Sequence, residues 1–279
     1  MEHLSNVLFV GMHLAVLLAF VVPSSWLVRG LALGSYGVRM WAITAGYHRY
    51  FAHRSYKTGR VFQLFLAILG STAMQNGPIW WASVHRRHHR YADREGDPHS
   101  PVGRGIWYAH IGWNFDRTRP AADERSNVSD LTRFPELRFV DRHNWLPLVA
   151  YAVACFALGG LPALLWSFVI STVAVFHCTM LINSLGHVWG SRRYATSDQS
   201  RNNALLAVLT LGEGWHNNHH KCRSSARQGF LWWEVDVTYY VLRALGWMGV
   251  IWNIREPSAA TRIPTMVAPV PCARAGELL

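Results

Sequence analysis

The apolar residues of this chain are concentrated in four segments, and this distribution constrains the fold more than any other feature. The segments are residues 4–22, 26–47, 145–158 and 161–182. The second is broken only by Arg29 and Arg39, and the other three contain no charged residue. A helix that crosses a bilayer needs roughly 20 apolar residues, so the shortest segment must tilt little or borrow interfacial residues. The sequence therefore predicts an all-α integral membrane protein with four transmembrane helices.

The short links between the segments predict two hairpins. Residues 23–25 join the first pair and the glycines at 159–160 join the second, so each hairpin returns the chain to its starting side. Of the 27 Lys and Arg residues, 15 lie within residues 48–144 and 10 lie after residue 182. Because basic residues collect on the cytoplasmic face of a membrane, both polar segments are expected to be cytoplasmic.

A single membrane domain over residues 1–279 follows from this topology. The segments 48–144 and 183–256 are expected to form a cytoplasmic helical cap. Residues 257–279, rich in Pro and Ala, are expected to be a loosely ordered tail. The predicted location is the cell (inner) membrane, with several crossings. The net charge of +11 fits the cytoplasmic bias and attraction to anionic lipid, and no nucleic-acid partner is expected.

Nine of the 15 histidines and one asparagine fall into four short motifs. The motifs are GYHRYFAHR (His48, His53), HRRHH (His85, His88, His89), NSLGH (Asn183, His187) and EGWHNNHH (His216, His219, His220). On a helix, residues three and four apart share a face, so each HxxHH segment is expected to aim its imidazoles in one direction. His48 and His53 are five apart, which predicts a break or turn between them. One HxxHH segment alone is also typical of a solvated basic face, but all four on one membrane side favour a metal centre.

The number of imidazoles indicates how many metal ions they bind. A structural zinc takes four ligands and a catalytic zinc takes three, so nine histidines suit two ions. Imidazole binds iron, zinc, copper and nickel, and the spacing alone therefore leaves the element open. The remaining histidines have other expected roles: surface positions for His3 and His143, hydrogen bonds between spans for His13 and His177, and places near the site without ligation for His99 and His110.

Acids beside the motifs are candidates for orienting the imidazoles. A metal-bound imidazole usually donates its second ring nitrogen to a carboxylate or carbonyl, which fixes its tautomer and orientation. The acids adjoining the motifs are Asp93, Asp97 and Glu213. The alternative is that they are ordinary surface acids paired with Arg90 or Arg94.

In this order, GYHRYFAHRSYKT, HRRHH, NSLGH and EGWHNNHH resemble the membrane fatty acyl desaturase family, of the stearoyl-CoA (acyl-CoA delta-9) desaturase type and bacterial-like. The similarity runs from Ala45 to about Arg255 and includes RGIWYAHIGW at residues 104–113. The resemblance implies a centre of two iron ions with O2 as co-substrate, and no catalytic side chain beyond the metal centre. The implied ligands are His48, His53, His85, His88, His89, His187, His216, His219 and His220, with Asn183 contacting one iron through water.

The resemblance also implies an apolar channel for the acyl chain. Gln75, Trp81 and Thr179 match family positions along this channel, although Trp80 and Trp81 are also typical of interfacial aromatic residues. The apolar segment 61–74 is too short to span a bilayer and resembles a membrane-surface helix of the family.

Departures from the family pattern concern the acyl carrier. In animal acyl-CoA desaturases an Arg-Asp pair before the second histidine motif contacts CoA, but Ser83 and Val84 occupy those positions here. A neighbouring Arg-Lys pair becomes Arg117-Thr118, and Arg117 is expected to bind a phosphate of the substrate. CoA is the expected carrier, and a lipid-linked or carrier-protein-linked acyl chain stays open.

The expected activity is O2-dependent insertion of a cis double bond, at delta-9, into a saturated fatty acyl chain. The sequence contains no HPGG haem motif, CxxC motif or GxGxxG loop, so a separate donor such as ferredoxin, rubredoxin or a cytochrome b5-like protein is expected to supply two electrons. A di-iron hydroxylase or alkane monooxygenase is an alternative with the same kind of site. A non-catalytic metal-binding or transport protein is another, but it would place ionisable residues along a path within the spans.

Overall fold

A computed structural model of the chain describes residues 2–116 and 125–265. Arg117 and the last part of the predicted tail, 266–279, lie outside the described residues. The helices are α1 Glu2–Ala15, α2 Trp26–Trp41, α3 Arg60–Ser71, α4 Pro78–Tyr91, α5 Gly105–His110, α6 Ser129–Thr132, α7 Pro135–Arg142, α8 Trp145–Ala163, α9 Ser171–Ser184, α10 Ala204–Leu209, α11 His216–Lys221 and α12 Val237–Trp247. The chain is therefore mostly helical, as the sequence predicts.

Some segments depart from regular α-helix. Val16–Phe20 and Leu185–His187 are 3₁₀ turns that continue α1 and α9, and Ala42–Ala52 and Leu164–Ile170 are π-helical. Two short strands, β1 Lys57–Thr58 and β2 Ile251–Trp252, pair antiparallel. These strands add one short antiparallel pair to the helical fold and tie the segment after α12 to the segment just before α3.

One helical stretch in the described part of the chain, Trp145–His187, is long and apolar enough to cross a membrane. The backbone of Gly159 and Gly160 is non-helical, and Gly160 has a φ of +60°. Tyr151 donates a hydrogen bond to the carbonyl of Ser167 at 2.8 Å, although sixteen residues of straight helix would separate them by about 24 Å. The stretch therefore folds back at the two glycines, where the sequence predicts a hairpin.

Shorter apolar helices occur at Val7–Phe20 and Arg60–Ser71. The helix α2 begins at Trp26, where Ser25 accepts a hydrogen bond from the N–H of Val28 at 3.3 Å and caps the first turn. Both α1 and α2 pack on the stretch that contains α9. The four-span topology itself stays a prediction.

Arg39 is a buried charge that joins four elements. Only 2% of Arg39 is exposed. Its guanidinium donates to Thr172 Oγ1 at 2.6 Å, to Ser171 Oγ, and to the carbonyl of Thr72 at 3.1 Å, at the end of α3. It also lies 4.9 Å from the ring centroid of Tyr151. Because these oxygens come from α9 and α3 and the ring from α8, the side chain fixes their positions around α2.

Replacing Arg39 with Leu should therefore lower the free energy of unfolding by several kcal/mol, since each buried polar group left unsatisfied costs about 1–3 kcal/mol. Arg29→Leu is the matched control, because Arg29 lies on the same helix but is exposed; its guanidinium donates to Ser24 at 3.0 Å and lies over the rings of Trp26 and Trp166. Thermal unfolding in lipid nanodiscs measures both. Equal melting temperatures for the two variants would contradict the role of Arg39.

Two further contacts fix the positions of α3 and α4. Gly70 of α3 packs on Tyr47, and a Cβ at this glycine would lie 2.2 Å from the Tyr47 ring. At the start of α4, Asp141 accepts hydrogen bonds from the N–H groups of Ile79 and Trp80 at 2.8 and 3.0 Å. A carboxylate at a helix N-terminus caps it and is stabilised by the helix dipole. These contacts hold α3 and α4 against the π-helical segment that carries the first histidines.

Candidate metal centre

Five imidazoles form one compact group. They belong to His48, His53, His85, His89 and His219. Neighbouring Nε2 atoms lie close together: 2.9 Å from His53 to His85, 2.9 Å from His85 to His89, 2.9 Å from His89 to His219, and 3.1 Å from His219 to His48. Three of the four sequence motifs therefore contribute to this group.

Four further imidazoles form a second group. They belong to His88, His187, His216 and His220, and all four are buried. The Nε2 atoms of His187 and His216 are 3.0 Å apart. The NSLGH motif contributes to this group through His187, which lies in the 3₁₀ turn Leu185–His187.

The division between the groups corrects two expectations from spacing. Each HxxHH segment was expected to aim three imidazoles in one direction, but His85 and His89 join the five-histidine group while His88 joins the other. Adjacent residues on a helix point about 100° apart, because a turn holds 3.6 residues, so neighbours in sequence reach different groups.

The second correction concerns His48 and His53, between which a break or turn was expected. The chain instead continues as a π-helix, and the N–H of His53 donates to the carbonyl of His48 at 3.1 Å. A π-helix bonds residues five apart, which places these two side chains on one face. Both therefore reach the same group without interrupting the helix.

Carboxylates hold four of the imidazoles by their Nδ1 atoms. The pairs are His48 with Glu213 at 2.5 Å, His88 with Asp97 at 3.0 Å, His187 with Asp93 at 2.8 Å, and His220 with Asp198 at 2.8 Å. An Nδ1–H that donates to a carboxylate leaves the lone pair on Nε2, which is the form that binds a metal. Asp93, Asp97 and Glu213 thus lie where they can orient ligands.

Asp198 is a residue that the sequence reasoning missed. It lies eleven residues beyond His187, outside every histidine motif, in the loop before α10. Its Oδ1 accepts the N–H of Ser200 at 3.0 Å, which forms an Asx turn. This turn pattern was the available sequence signal, and it indicates a loop without indicating a partner for His220.

The acids are ionised at neutral pH. Burial alone would raise the pKa of Asp93, but the hydrogen bond from His187 and its charge lower it to about 2. Burial also opposes ionisation of Glu213, and the charges of His48 and Arg49 lower its pKa to about 2. Burial also opposes ionisation of Asp97 and Asp198, but the charge of His88 and the hydrogen bond from His220 lower their respective pKa values below the usual range.

Most of the imidazoles are neutral. Burial lowers the pKa of a set of them well below the ordinary value: His53, His85, His89, His216 and His219. The pKa of His220 falls to about 4, again because of burial. His88 differs from these imidazoles. Burial would lower its pKa, but the charge of Asp97 raises the pKa above its ordinary value. A bound metal cation competes with that proton, since ligation requires the neutral ring.

The donor set fits two transition-metal ions. Imidazole nitrogens bind such an ion at about 2.0–2.1 Å, and two ligands at right angles at that distance are about 3 Å apart, which matches the Nε2 separations. The buried Nε2 of His220 has no hydrogen-bond partner among the described residues. An unpartnered lone pair in a buried site is costly unless a metal or a donor satisfies it. His48, His53, His85, His89 and His219 would hold one ion, and the other four histidines would hold the second.

Two adjoining cavities meet beside these groups. Trp81, His85, Thr179 and Asn183 line both cavities, so these four residues form the boundary that the two spaces share. One cavity continues past Met74, Gln75 and Phe176, and the other continues to Met40, Ile43 and Thr44. A long apolar chain that occupied both would pass directly beside the imidazoles.

The three residues expected along the acyl channel contact one another. Gln75 donates to Thr179 Oγ1 at 2.9 Å and accepts from the indole N–H of Trp81 at 3.2 Å. Asn183 lies one turn beyond Thr179 on α9 and faces both cavities. Arg117, the fourth expected substrate residue, lies outside the described residues.

The other histidines take structural places. His99 stacks on His88 with ring centroids 4.6 Å apart, and its Nδ1 is 3.9 Å from Asp97. His177 Nε2 is 3.0 Å from His13 Nε2, and its Nδ1 is 3.0 Å from His110 Nε2. The expected hydrogen bond between spans at His13 and His177 is therefore present.

Asparagine at Asp198 should weaken metal binding in the four-histidine group. The His220 ring would lose the charged partner of its Nδ1, and loss of such a carboxylate typically costs 10–100-fold in metal affinity. Glu136→Gln is a matched control, because Glu136 pairs with Arg60 on the surface at 2.7 Å. Competition with a chelator measures the metal affinity of each variant. If the Asp198 and Glu136 variants retained the metal of the four-histidine group equally well, the role of Asp198 would be contradicted.

Comparison with known proteins gives a consistent result. The sequence model of the fatty acid desaturase family matches residues 24–245. The chain is 40% identical over 255 residues to the chloroplastic palmitoyl-monogalactosyldiacylglycerol delta-7 desaturase of Arabidopsis thaliana, covering 90% of this chain and 68% of that protein. It is 38% identical over 259 residues to the acyl-CoA C20 Delta5-desaturase of Anemone leveillei, covering 91% and 82%. It is 37% identical over 253 residues to the sn-1 stearoyl-lipid 9-desaturase of Anabaena variabilis, covering 90% and 93%.

Proposed function

This chain belongs to the fatty acid desaturase family, and we propose that it inserts a cis double bond at delta-9 of a saturated acyl chain. Relatives in this family desaturate acyl chains, so the protein is an oxidoreductase. The observation that supports the finer proposal is the pair of adjoining cavities, with four shared lining residues, beside nine convergent imidazoles. A site of this kind suits a long substrate whose reacting carbons lie at mid-chain.

The proposed reaction removes two hydrogens from adjacent methylenes. With two electrons and two protons, O2 is reduced to two waters while the saturated C–C bond becomes a double bond. A bound pair of iron ions would supply the O2 chemistry that breaks unactivated C–H bonds, and imidazole-rich sites accept iron.

The protein residues position the substrate. Trp81 and Thr179 stand where the cavities meet, and Gln75 links their side chains by two hydrogen bonds. Because this contact joins the turn after α3 to α9, it fixes the width of the passage at the imidazoles. Holding one C–C bond at that point sets the position of the double bond, since positioning decides which bond reacts.

CoA is the proposed acyl carrier, and a lipid-linked chain is the second candidate. Ser83 and Val84 replace the pair that contacts CoA in animal enzymes, which weakens the argument for CoA and keeps the lipid-linked alternative open. The relatives named above include an acyl-CoA desaturase and an acyl-lipid desaturase. The electron donor is proposed to be a separate protein, because the chain carries no haem, iron–sulfur or nucleotide motif.

The proposed location is the inner membrane, with four spans in two hairpins and the catalytic cap in the cytoplasm. The apolar stretch Trp145–His187 and the concentration of basic residues in the cap segments support this arrangement. Residues 1–279 are proposed to act as a single domain.

Product analysis tests the activity. A host that expresses the chain and receives saturated fatty acid should accumulate delta-9 olefin, located by mass spectrometry of derivatised lipids. An alcohol would instead identify a hydroxylase, and neither product would favour a metal-binding protein. Purified enzyme given stearoyl-CoA or a stearoyl phospholipid, with a donor protein, separates the two carriers.

Metal content provides an independent test. Protein purified anaerobically and supplied with iron should bind two ions per chain, because nine imidazoles exceed the needs of one. A ratio that stays at one under these conditions would overturn the two-ion centre.

A further inference from the structure

The last helix of the cap presents its apolar face outward. The exposed residues of α12 and the turn after it are Val237, Tyr240, Val241, Trp247 and Met248, and 78% of Trp247 is exposed. Their spacings of three, four and seven residues place them on one side of the helix, as an outward stripe. The five side chains are uncharged, and Arg243 flanks them, with its guanidinium over the ring of Trp247 and paired with Glu256 at 3.1 Å.

The inward side of α12 is not more apolar than the outward side. Thr238, Tyr239 and Leu242 are buried, and Asp236 caps the helix by accepting the N–H of Tyr239 at 3.0 Å. A helix on the surface of a soluble protein has the opposite arrangement, with polar residues outward. The outward stripe therefore requires an apolar environment.

A second helix and a loop extend this surface. On α10, Leu205 and Val208 are exposed, Val208 to 72%, while Leu206 and Ala207 of the same helix are buried. In the loop before α12, Trp232 is 88% exposed. The apolar collar, as we name it, consists of Leu205, Val208, Trp232, Trp233, Val235, Val237, Tyr240, Val241, Trp247 and Met248. Exposed apolar patches of this extent mark an interaction surface.

Hydrogen bonds place the collar beside the second predicted span. Tyr36 of α2 donates to the carbonyl of Leu209 at the end of α10. Tyr36 lies twelve residues before His48, which is roughly 18 Å along a helix in the direction of the bilayer interior. The hydroxyl of Thr44 is 2.8 Å from that of Thr238 on α12, at an intermediate level. The collar thus flanks the bundle on the membrane side of the metal centre.

We propose that the apolar collar lies in the cytoplasmic leaflet, with phospholipid acyl chains as its occupant. This inference rests on the proposed four-span topology, and it changes the predicted cap, because part of residues 183–256 would be immersed in the membrane. Lipid is favoured over another protein because the bonds of Tyr36 and Thr44 hold α10 and α12 against the second predicted span, which would itself be surrounded by lipid. Tryptophans such as Trp232 and Trp247 are enriched at the membrane interface.

Immersion of the collar has a consequence for the substrate. It would fix the depth of the cap and hold the meeting point of the two cavities close to the level of the lipid acyl chains. An acyl chain could then pass from the leaflet to the imidazoles with little exposure to water, which lowers the cost of transfer.

Site-specific fluorescence quenching tests the proposal. An environment-sensitive dye is attached to Val208→Cys or Val241→Cys, in a chain whose native cysteines are replaced by alanine and whose desaturase activity is retained. Leu33→Cys, on the exposed face of α2, is the control for a lipid-facing span, and Glu95→Cys, exposed in the cap, is the control for water. Each variant is placed in nanodiscs of phosphatidylcholine and phosphatidylglycerol with brominated acyl chains, or in unbrominated nanodiscs with iodide.

The expected result is loss of fluorescence with brominated lipid at Val208 and Val241, as at Leu33, and loss with iodide only at Glu95. Quenching of Leu33 by lipid, with Val208 and Val241 quenched by iodide, would overturn the collar and leave the topology intact. Protection of both positions from lipid and iodide would also overturn it, and would point to a second copy or another protein. A Leu33 dye that lipid does not reach would overturn the topology and the collar together.

Discussion

Alanine at His219 should abolish desaturation, whereas alanine at His143 should leave it largely intact. His219 is buried, and its Nε2 lies 2.9 Å from that of His89 and 3.1 Å from that of His48. Removing this imidazole should cost more than the 10–100-fold in metal affinity that is typical for loss of a carboxylate behind a ligand. The ring of His143 instead donates an exposed hydrogen bond to the carbonyl of Phe139 at 3.0 Å, at the end of α7. Double-bond content of cellular lipids measures activity, and metal per chain shows whether the site is the cause.

Alanine variants at other histidines distinguish the five-histidine group from the four-histidine group. His85→Ala and His89→Ala should deplete the five-histidine group, and His187→Ala should deplete the four-histidine group, each with loss of activity. Asn183→Ala should reduce activity without abolishing it, because its expected contact with the metal runs through water. Full activity in His187→Ala would show that the four-histidine group does not serve catalysis.

The convergence of the histidines follows from their motifs, but their grouping does not. Sequence spacing indicates that His85, His88 and His89 occupy neighbouring positions on one helix. Which of them faces which metal depends on the rotation of α4 against its neighbours, and that rotation is set by tertiary contacts. Asp141, 62 residues from Ile79, caps α4 and helps to fix it. Spacing alone cannot supply a contact over that separation.

Two further features depend on context in the same way. The π-helical winding that aligns His48 with His53 requires packing of α3 and α4 around it, and nothing in the local composition distinguishes it from α-helix. Asp198 reaches His220 from a loop that passes no histidine motif. By contrast, Asp93, Asp97 and Glu213 lie beside the motifs in sequence, so proximity along the chain was sufficient to identify them as candidates.

The apolar pattern of the sequence identifies long membrane helices but does not identify short ones. It marks the hairpin at Gly159 and Gly160 because two long apolar runs flank a glycine pair. It does not mark α10 or α12 as membrane elements, because helices of 6 and 11 residues are too short for a hydropathy argument. Their outward apolar faces become visible only when burial is known.

Tryptophan at Thr179 should suppress desaturation while leaving both metal groups intact. Thr179 lines both cavities where they meet, and its hydroxyl accepts a hydrogen bond from Gln75. An indole at this point would fill the space between the two cavities and remove that hydrogen bond, although no imidazole is replaced. Overpacking typically costs about 1–3 kcal/mol, and the same penalty on the bound acyl chain would lower turnover by about 5- to 150-fold.

Thr179→Ser is the matched control, because serine keeps the hydroxyl that Gln75 donates to and adds no volume, so this variant should retain activity. Metal per chain and melting temperature are measured beside the rate and the position of the double bond. Loss of activity with two metals retained would place the acyl chain at Thr179, since neither ligation nor folding would explain the defect. A Thr179→Trp variant that desaturates the same chain at the same position and rate would show that the channel does not pass this residue. The two imidazole groups would still fit their metals in that case, because their geometry does not depend on the substrate path.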